Sequence, residues 1–154
     1  MIYFYLVDYI YDDDRETSSS VEIANIYETF GPNVIRLLQG QQVNKLTNLE
    51  QAAISILEEF RNLDPDWYTL FTQGVVGHVE IAMELRSLKK NPVSLSLKDY
   101  WEARKIDTGG LWSANLVEYA HNYYLTPAQR AWEKIQLATN DMAQLCGIIN
   151  DMFS

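Results

Sequence analysis

The sequence predicts an all-α domain. Apolar residues recur at helical spacing along most of its 154 residues, and helix starts are marked repeatedly by a capping side chain, often followed by proline. Only 7 Gly and 4 Pro are present, too few for a sandwich or barrel of many short strands. A hydrophobic fraction of 47% is enough for a real core and argues against disorder.

Taken in order, residues 1–11 are apolar and aromatic and read as a buried helix, with a buried strand as the alternative because Ile, Val and Tyr are frequent there. No capping residue precedes them, so the chain is expected to start inside an element. The acidic run Asp12–Glu16 ends that element, Thr17-Ser18-Ser19-Ser20 is a polar connector, and Ser20 can cap the next helix. Residues 21–30 form a short amphipathic helix with Ile23, Ile26, Tyr27 and Phe30 on one side. Gly31-Pro32 breaks it, and Pro32 opens another helix through Leu38. After a loop at 40–44, Thr47 or Asn48 caps a helix over 49–63, where Ala52, Ala53, Ile56, Leu57 and Phe60 make a stripe.

Asp64-Pro65 pairs a cap with proline at the first helical position. The helix it opens runs to about Lys90 and carries Trp67, Leu70, Phe71, Val75, His78, Val79, Ala82 and Leu85; Lys89-Lys90-Asn91-Pro92 ends it. Ser96 caps a helix over 97–106. Asp107-Thr108-Gly109-Gly110 interrupts it, its glycines allowing a kink and a close backbone approach, and the helix resumes over 111–119. Thr126-Pro127 starts a last helix expected to continue to Ser154 with no breaker except Gly147.

Composition narrows the function. The formal charge of -9 disfavours nucleic acid and anionic membrane as partners, while leaving room for an anionic substrate bridged by metal ions. Cys146 is the only cysteine, which excludes an internal disulfide and a thiolate zinc site. His78 and His121, far apart, make a poor transition-metal site. The opening segment is too short to span a bilayer and lacks the basic start of a signal peptide, so a cytoplasmic location is expected.

Polar groups at three places suggest one site. Asp12, Asp13, Asp14 and Glu16 are adjacent carboxylates that repel each other unless cations join them; most such runs are solvated faces, but this one comes directly after an apolar helix. Asp8 and Asp12 form an Asp-x-x-x-Asp pair without a later counterpart, and Asp8 is better read as a tolerated polar residue. Asn150 and Ser154 lie four apart on one helix face with Asp151 beside them, an oxygen set suited to Mg2+. Asn140-Asp141 repeats the dipeptide but has Gln144 where the other has Ser154, so the dipeptide alone means little. Arg104, just before the kink, has a planar fork that suits two phosphate oxygens; the plainer reading is a surface salt bridge with Glu102 or Asp107. The 10 Tyr, 5 Phe and 4 Trp are mostly core, although aromatic faces also stabilise cations.

Together these residues resemble a class I terpene synthase of the bacterial type. The family's Asp-Asp-x-x-Asp/Glu motif is matched by Asp12, Asp13 and Glu16, and its Asn-Asp-x-x-Ser/Thr-x-x-x-Glu motif by Asn150, Asp151 and Ser154. The family places a diphosphate-sensing arginine 46 residues before that asparagine, and Arg104 stands there (150 − 104 = 46). The linker and effector positions after it fall on Asp107 and Thr108, and residues 99–110 resemble the family's helix-break region. The resemblance implies a class I terpenoid synthase helical bundle. Residues 1–154 would be a single partial domain, the central portion, incomplete at both ends and inactive as it stands, because the motif's closing Glu would fall at position 158.

The function implied is Mg2+-dependent cyclisation of a prenyl diphosphate, farnesyl diphosphate by analogy. Three Mg2+ would be held by Asp12, Asp13, Glu16, Asn150, Asp151 and Ser154, with Arg104 on the diphosphate and Asp107 and Thr108 at the helix break. The alternatives are a chain-elongating prenyltransferase, which should carry a second Asp-Asp-x-x-Asp where Asn150 stands, and a non-catalytic helical interaction module. Product skeleton and oligomeric state are not written in the motifs.

Overall fold

Local capping chemistry starts several of the helices where the sequence places them. A computed structural model describes residues 31–44, 46–90 and 96–153, and the helices expected over 1–11 and 21–30 lie outside the described residues. The first described helix, α1, covers 31–38. Helix α2 (Asn48–Arg61) opens with a capping box: the Thr47 hydroxyl accepts from the Glu50 N–H, and the Glu50 carboxylate accepts from the Thr47 N–H at 2.6 Å. Glu50 is buried, and its other oxygen accepts from Asn33 Nδ2 at 2.6 Å. One carboxylate therefore caps α2 and ties it to α1.

Helix α3 (Pro65–Lys90) begins with the Asp64 carboxylate accepting from the Trp67 N–H at 2.9 Å. Ser96 caps α4 (Leu97–Asp107) by accepting from the Asp99 N–H at 3.1 Å. Thr108 closes α4 and Gly109, at φ 69, turns the chain into α5 (Gly110–His121). That left-handed conformation is strained for a residue with a side chain, so the break depends on glycine there. Among the described residues no strand occurs, as an all-α domain requires.

The expected unbroken last helix is corrected. Thr126 caps a four-residue helix, α6 (Pro127–Arg130), and α7 (Glu133–Phe153) starts separately. No proline or glycine marks the break at Ala131-Trp132. The short helix is instead held by a tertiary contact: the Arg130 guanidinium donates to both Glu118 oxygens at 2.5 and 2.6 Å, while Glu118 also accepts from the Leu125 N–H at 2.8 Å. Fixing α6 on the end of α5 sets its direction independently of α7.

The apolar core joins Leu57 and Phe60 of α2, Trp67, Phe71 and Val75 of α3, and Trp112 and Leu116 of α5. Of the stripes expected for α2 and α3, Ala53, Leu57, Phe60, Trp67, Phe71 and Val75 are buried, whereas Leu70 is 37% exposed at the stripe's edge; the Leu85 side chain lies outside the described residues. The broken helix α4–α5 lies between α3 on one side and α7 on the other.

Where α5 crosses α7, backbones come close. A Cβ added at Gly110 would stand 2.7 Å from Ala143 Cα and 3.0 Å from its Cβ. Gly110→Val should therefore force α5 and α7 apart and lower stability by about 1–3 kcal/mol, read as a fall in the urea midpoint. An unchanged midpoint would mean that this crossing is not tightly packed.

Candidate active site

The site is built on two helices running in opposite directions. Tyr100 and Arg104 of α4 face Asp151 and Asn150 of α7, Thr108 faces Gly147, and Gly110 faces Ala143. Positions rise along one helix as they fall along the other. Tyr100 and Arg104 are one turn apart, and so are Gly147 and Asp151, so each helix presents its pair on one face. Small residues let the faces meet: a Cβ at Gly147 would already be 3.4 Å from Arg104 Cγ and 3.7 Å from Thr108 Cγ2.

Arg104 is the centre of the cluster. Its Nε donates to Asp151 Oδ1 at 2.8 Å, and Nη2 lies 2.6 Å from the same oxygen. Nη1 donates to Asp107 Oδ2 and Nη2 to Asn150 Oδ1. The side chain is only 16% exposed, so this is not the solvated surface pair of the plainer reading, although Asp107 is one of its partners. Glu102, the other partner in that reading, pairs with Lys105 at 2.6 Å. Behind Asp151, the Tyr100 hydroxyl donates to Oδ2 at 2.9 Å.

Charge depends on this geometry. Burial would raise the Asp151 carboxyl, but hydrogen bonds from Arg104 and Tyr100, with the arginine's charge, outweigh it and hold the group below the usual carboxylate range. Burial likewise works against the charge on Arg104, and the bond to Asp151 and the field of Asp107 reverse that, leaving its pKa raised. The Tyr100 phenol is pushed up by burial and then by the carboxylate it serves.

The helix break is braced from behind. His78 Nδ1 lies 3.2 Å from the Ile106 carbonyl, and in the tautomer with hydrogen on Nδ1 it donates there. That same carbonyl accepts from the Gly109 N–H at 3.0 Å. Sequence reasoning put His78 on the apolar stripe and missed this role, which depends on a residue 28 positions away.

Thus Arg104, Asp107, Asn150 and Asp151 are brought together, with Thr108 at the helix break beside them. Asp12, Asp13, Asp14, Glu16 and Ser154 lie outside the described residues. Among the described residues no three His, Cys, Asp or Glu side chains gather into a metal-holding group. Asn150 Oδ1 is a neutral oxygen of the kind Mg2+ accepts, and here it accepts from Arg104 Nη2. No helix among the described residues is long and apolar enough to cross a membrane.

Comparison with known proteins agrees with this architecture. The whole chain, residues 1–154, matches the model of terpene synthase family 2, C-terminal metal binding. Neither the curated proteins nor the solved structures yielded a match.

Proposed function

The chain belongs to terpene synthase family 2, and on that premise we propose that it serves a cytoplasmic, Mg2+-dependent cyclase acting on a prenyl diphosphate, with farnesyl diphosphate the substrate of choice. The observation that carries this reading is the convergence of Arg104 and Asn150 from positions 46 residues apart. A phosphate-binding fork and a hard-cation oxygen then share one place, as ionising a diphosphate ester demands.

Asp12, Asp13, Glu16, Asn150, Asp151 and Ser154 would hold Mg2+, three ions in the complete site; when bound, the metal supplies positive charge to the leaving diphosphate. Arg104 donates N–H groups to the diphosphate oxygens. Asp107 keeps one end of its fork in place. The allylic C–O bond breaks with both electrons going to diphosphate, and the carbocation left behind closes onto a double bond of its own chain. Proton loss then yields a cyclic olefin. The carbonyl of Thr108, at the interrupted helix, is the group assigned to face the cation, and aromatic side chains and exclusion of water protect it.

The test uses the full native protein containing this sequence, incubated with Mg2+ and in turn with geranyl, farnesyl and geranylgeranyl diphosphate. Pyrophosphate release and a cyclic hydrocarbon are expected, greatest with farnesyl diphosphate and abolished by EDTA. A folded protein that releases no pyrophosphate from any of the three in the presence of Mg2+ would overturn the reading in favour of a non-catalytic helical module.

A further inference from the structure

Helix α3 spans the break between α4 and α5, and three of its residues meet the two sides of that break. Gly74 admits the α5 backbone: a Cβ there would stand 2.8 Å from Trp112 Cβ and 3.3 Å from Trp112 Cα. Gly77 meets α4, where a Cβ would be 3.8 Å from Ile106 Cγ2. The next residue, His78, brings Nδ1 to 3.2 Å from the Ile106 carbonyl. A carbonyl only accepts, so this contact needs the hydrogen on Nδ1.

The Ile106 carbonyl is where α4 stops being regular. The Thr108 N–H still reaches four residues back, to the Arg104 carbonyl at 3.1 Å. The Gly109 N–H reaches only three back, to Ile106 at 3.0 Å, so the helix tightens before it turns. The imidazole adds a second donor to that carbonyl from outside the helix, and its two lone pairs can serve both. The Trp112 indole lies against the same turn: a Cβ at Gly109 would be 2.7 Å from its Nε1. The imidazole and indole centroids are 6.0 Å apart, so the two rings support the break together.

We propose that His78 is a positioning residue for the reaction: by holding the Ile106 carbonyl it fixes the tilt of the peptides over 107–109, and with it the place of the Thr108 carbonyl beside the carbocation. The inference rests on reading the broken helix as the wall that faces the cation. His78 acts through the backbone and not on the diphosphate. Its loss therefore leaves diphosphate binding alone and weakens the stabilisation of charge after ionisation, which depends on dipoles fixed in advance.

The experiment uses the full native protein with Mg2+ and whichever of geranyl, farnesyl and geranylgeranyl diphosphate it turns over. Single-turnover rate and hydrocarbon products are read together with the affinity for inorganic pyrophosphate. His78→Leu is similar in size and lacks the donor. It is expected to lower the rate about tenfold and to shift products from cyclic towards acyclic olefins, with pyrophosphate affinity within about twofold. His78→Asn places an amide N–H close to the former Nδ1–H, and it should keep the products and a rate within about threefold of the unaltered protein. His78→Gln, whose amide falls nearer the Nε2 position, should behave like His78→Leu and takes its place where leucine prevents folding. In the ligand-free protein, exchange of the Gly109 amide hydrogen should be faster with leucine or glutamine at 78 than with asparagine, a readout that needs no turnover.

Unchanged rate and products in His78→Leu would overturn the inference and leave the reading of the site standing. So would a His78→Asn protein as impaired as the leucine or glutamine variant, or a loss of pyrophosphate affinity in step with the rate, which would make His78 a general strut. An unaltered, folded protein that turns over none of the three diphosphates would overturn the reading of the site and this inference together.

Discussion

Replacing Arg104 with alanine is expected to lower kcat/KM for a prenyl diphosphate by about three orders of magnitude, the scale seen when an arginine that stabilises transferred phosphate charge is lost. The reason lies in what the guanidinium does in this chain. Among the described residues it joins Asp107, Asn150 and Asp151, and it links α4 to α7. Without it, Asp107 and Asp151 lose the guanidinium they share, and on the proposed reading the leaving diphosphate loses a cationic hydrogen-bond donor.

Stability should fall much less than activity. The Asp107 and Asp151 side chains keep 18% and 28% exposure, so water can screen them once Arg104 is gone. A loss of about 1 kcal/mol is expected, as for pairs that are not fully buried. Arg104→Lys separates the two effects. It keeps the charge and should restore the urea midpoint, but it lacks the planar fork, so turnover should remain low. Paired measurement of kcat/KM and urea midpoint checks this. Full activity in Arg104→Ala would reduce the residue to a strut between two helices.

How far each interaction reaches along the chain decides which parts of this site could be read from the sequence. Thr47, Asp64 and Ser96 cap their helices through contacts three residues long, so a local pattern suffices to find them. The break after Asp107 is also local, since its left-handed turn falls on a glycine. The meeting of Arg104 with Asn150 is not local, and only the spacing shared with a known family pointed to it. The partners of Asp151 are equally distant: Tyr100 and Arg104 are 51 and 47 residues away. Gly147 was legible only as a neutral interruption of α7, and the reason for it is the Arg104 stem on the neighbouring helix. The break between α6 and α7 had no signal at all, because Glu118 and Arg130 meet across a turn.

Trp67→Ala is expected to give the largest loss of stability, about 3–5 kcal/mol, the range for deleting a large buried aromatic. Trp67 is fully buried and stacks on Phe71 at 5.2 Å between centroids. It meets Phe60 edge-on at 5.4 Å and lies against Tyr119 and Tyr124. Its indole N–H donates to the Asn115 carbonyl at 2.7 Å, a buried bond from α3 to α5. Alanine would leave a cavity among α2, α3 and α5 and remove the buried bond between α3 and α5. Against a total stability of about 5–15 kcal/mol, that loss is a large share. Trp67→Phe retains most of the ring contacts but not the N–H, so it should cost about 1–3 kcal/mol. The urea midpoint measures both. Asn115 and Tyr119 lie beyond the turn of α5 that faces Ala143, so the defect is centred away from Arg104. Pyrophosphate affinity per folded molecule should therefore stay close to that of the unaltered protein at low temperature. A collapse of that affinity in a folded Trp67→Ala protein would mean that the core sets the geometry of the α4–α7 pair. An unchanged midpoint would mean instead that α3 and α5 do not rely on this indole to stay together.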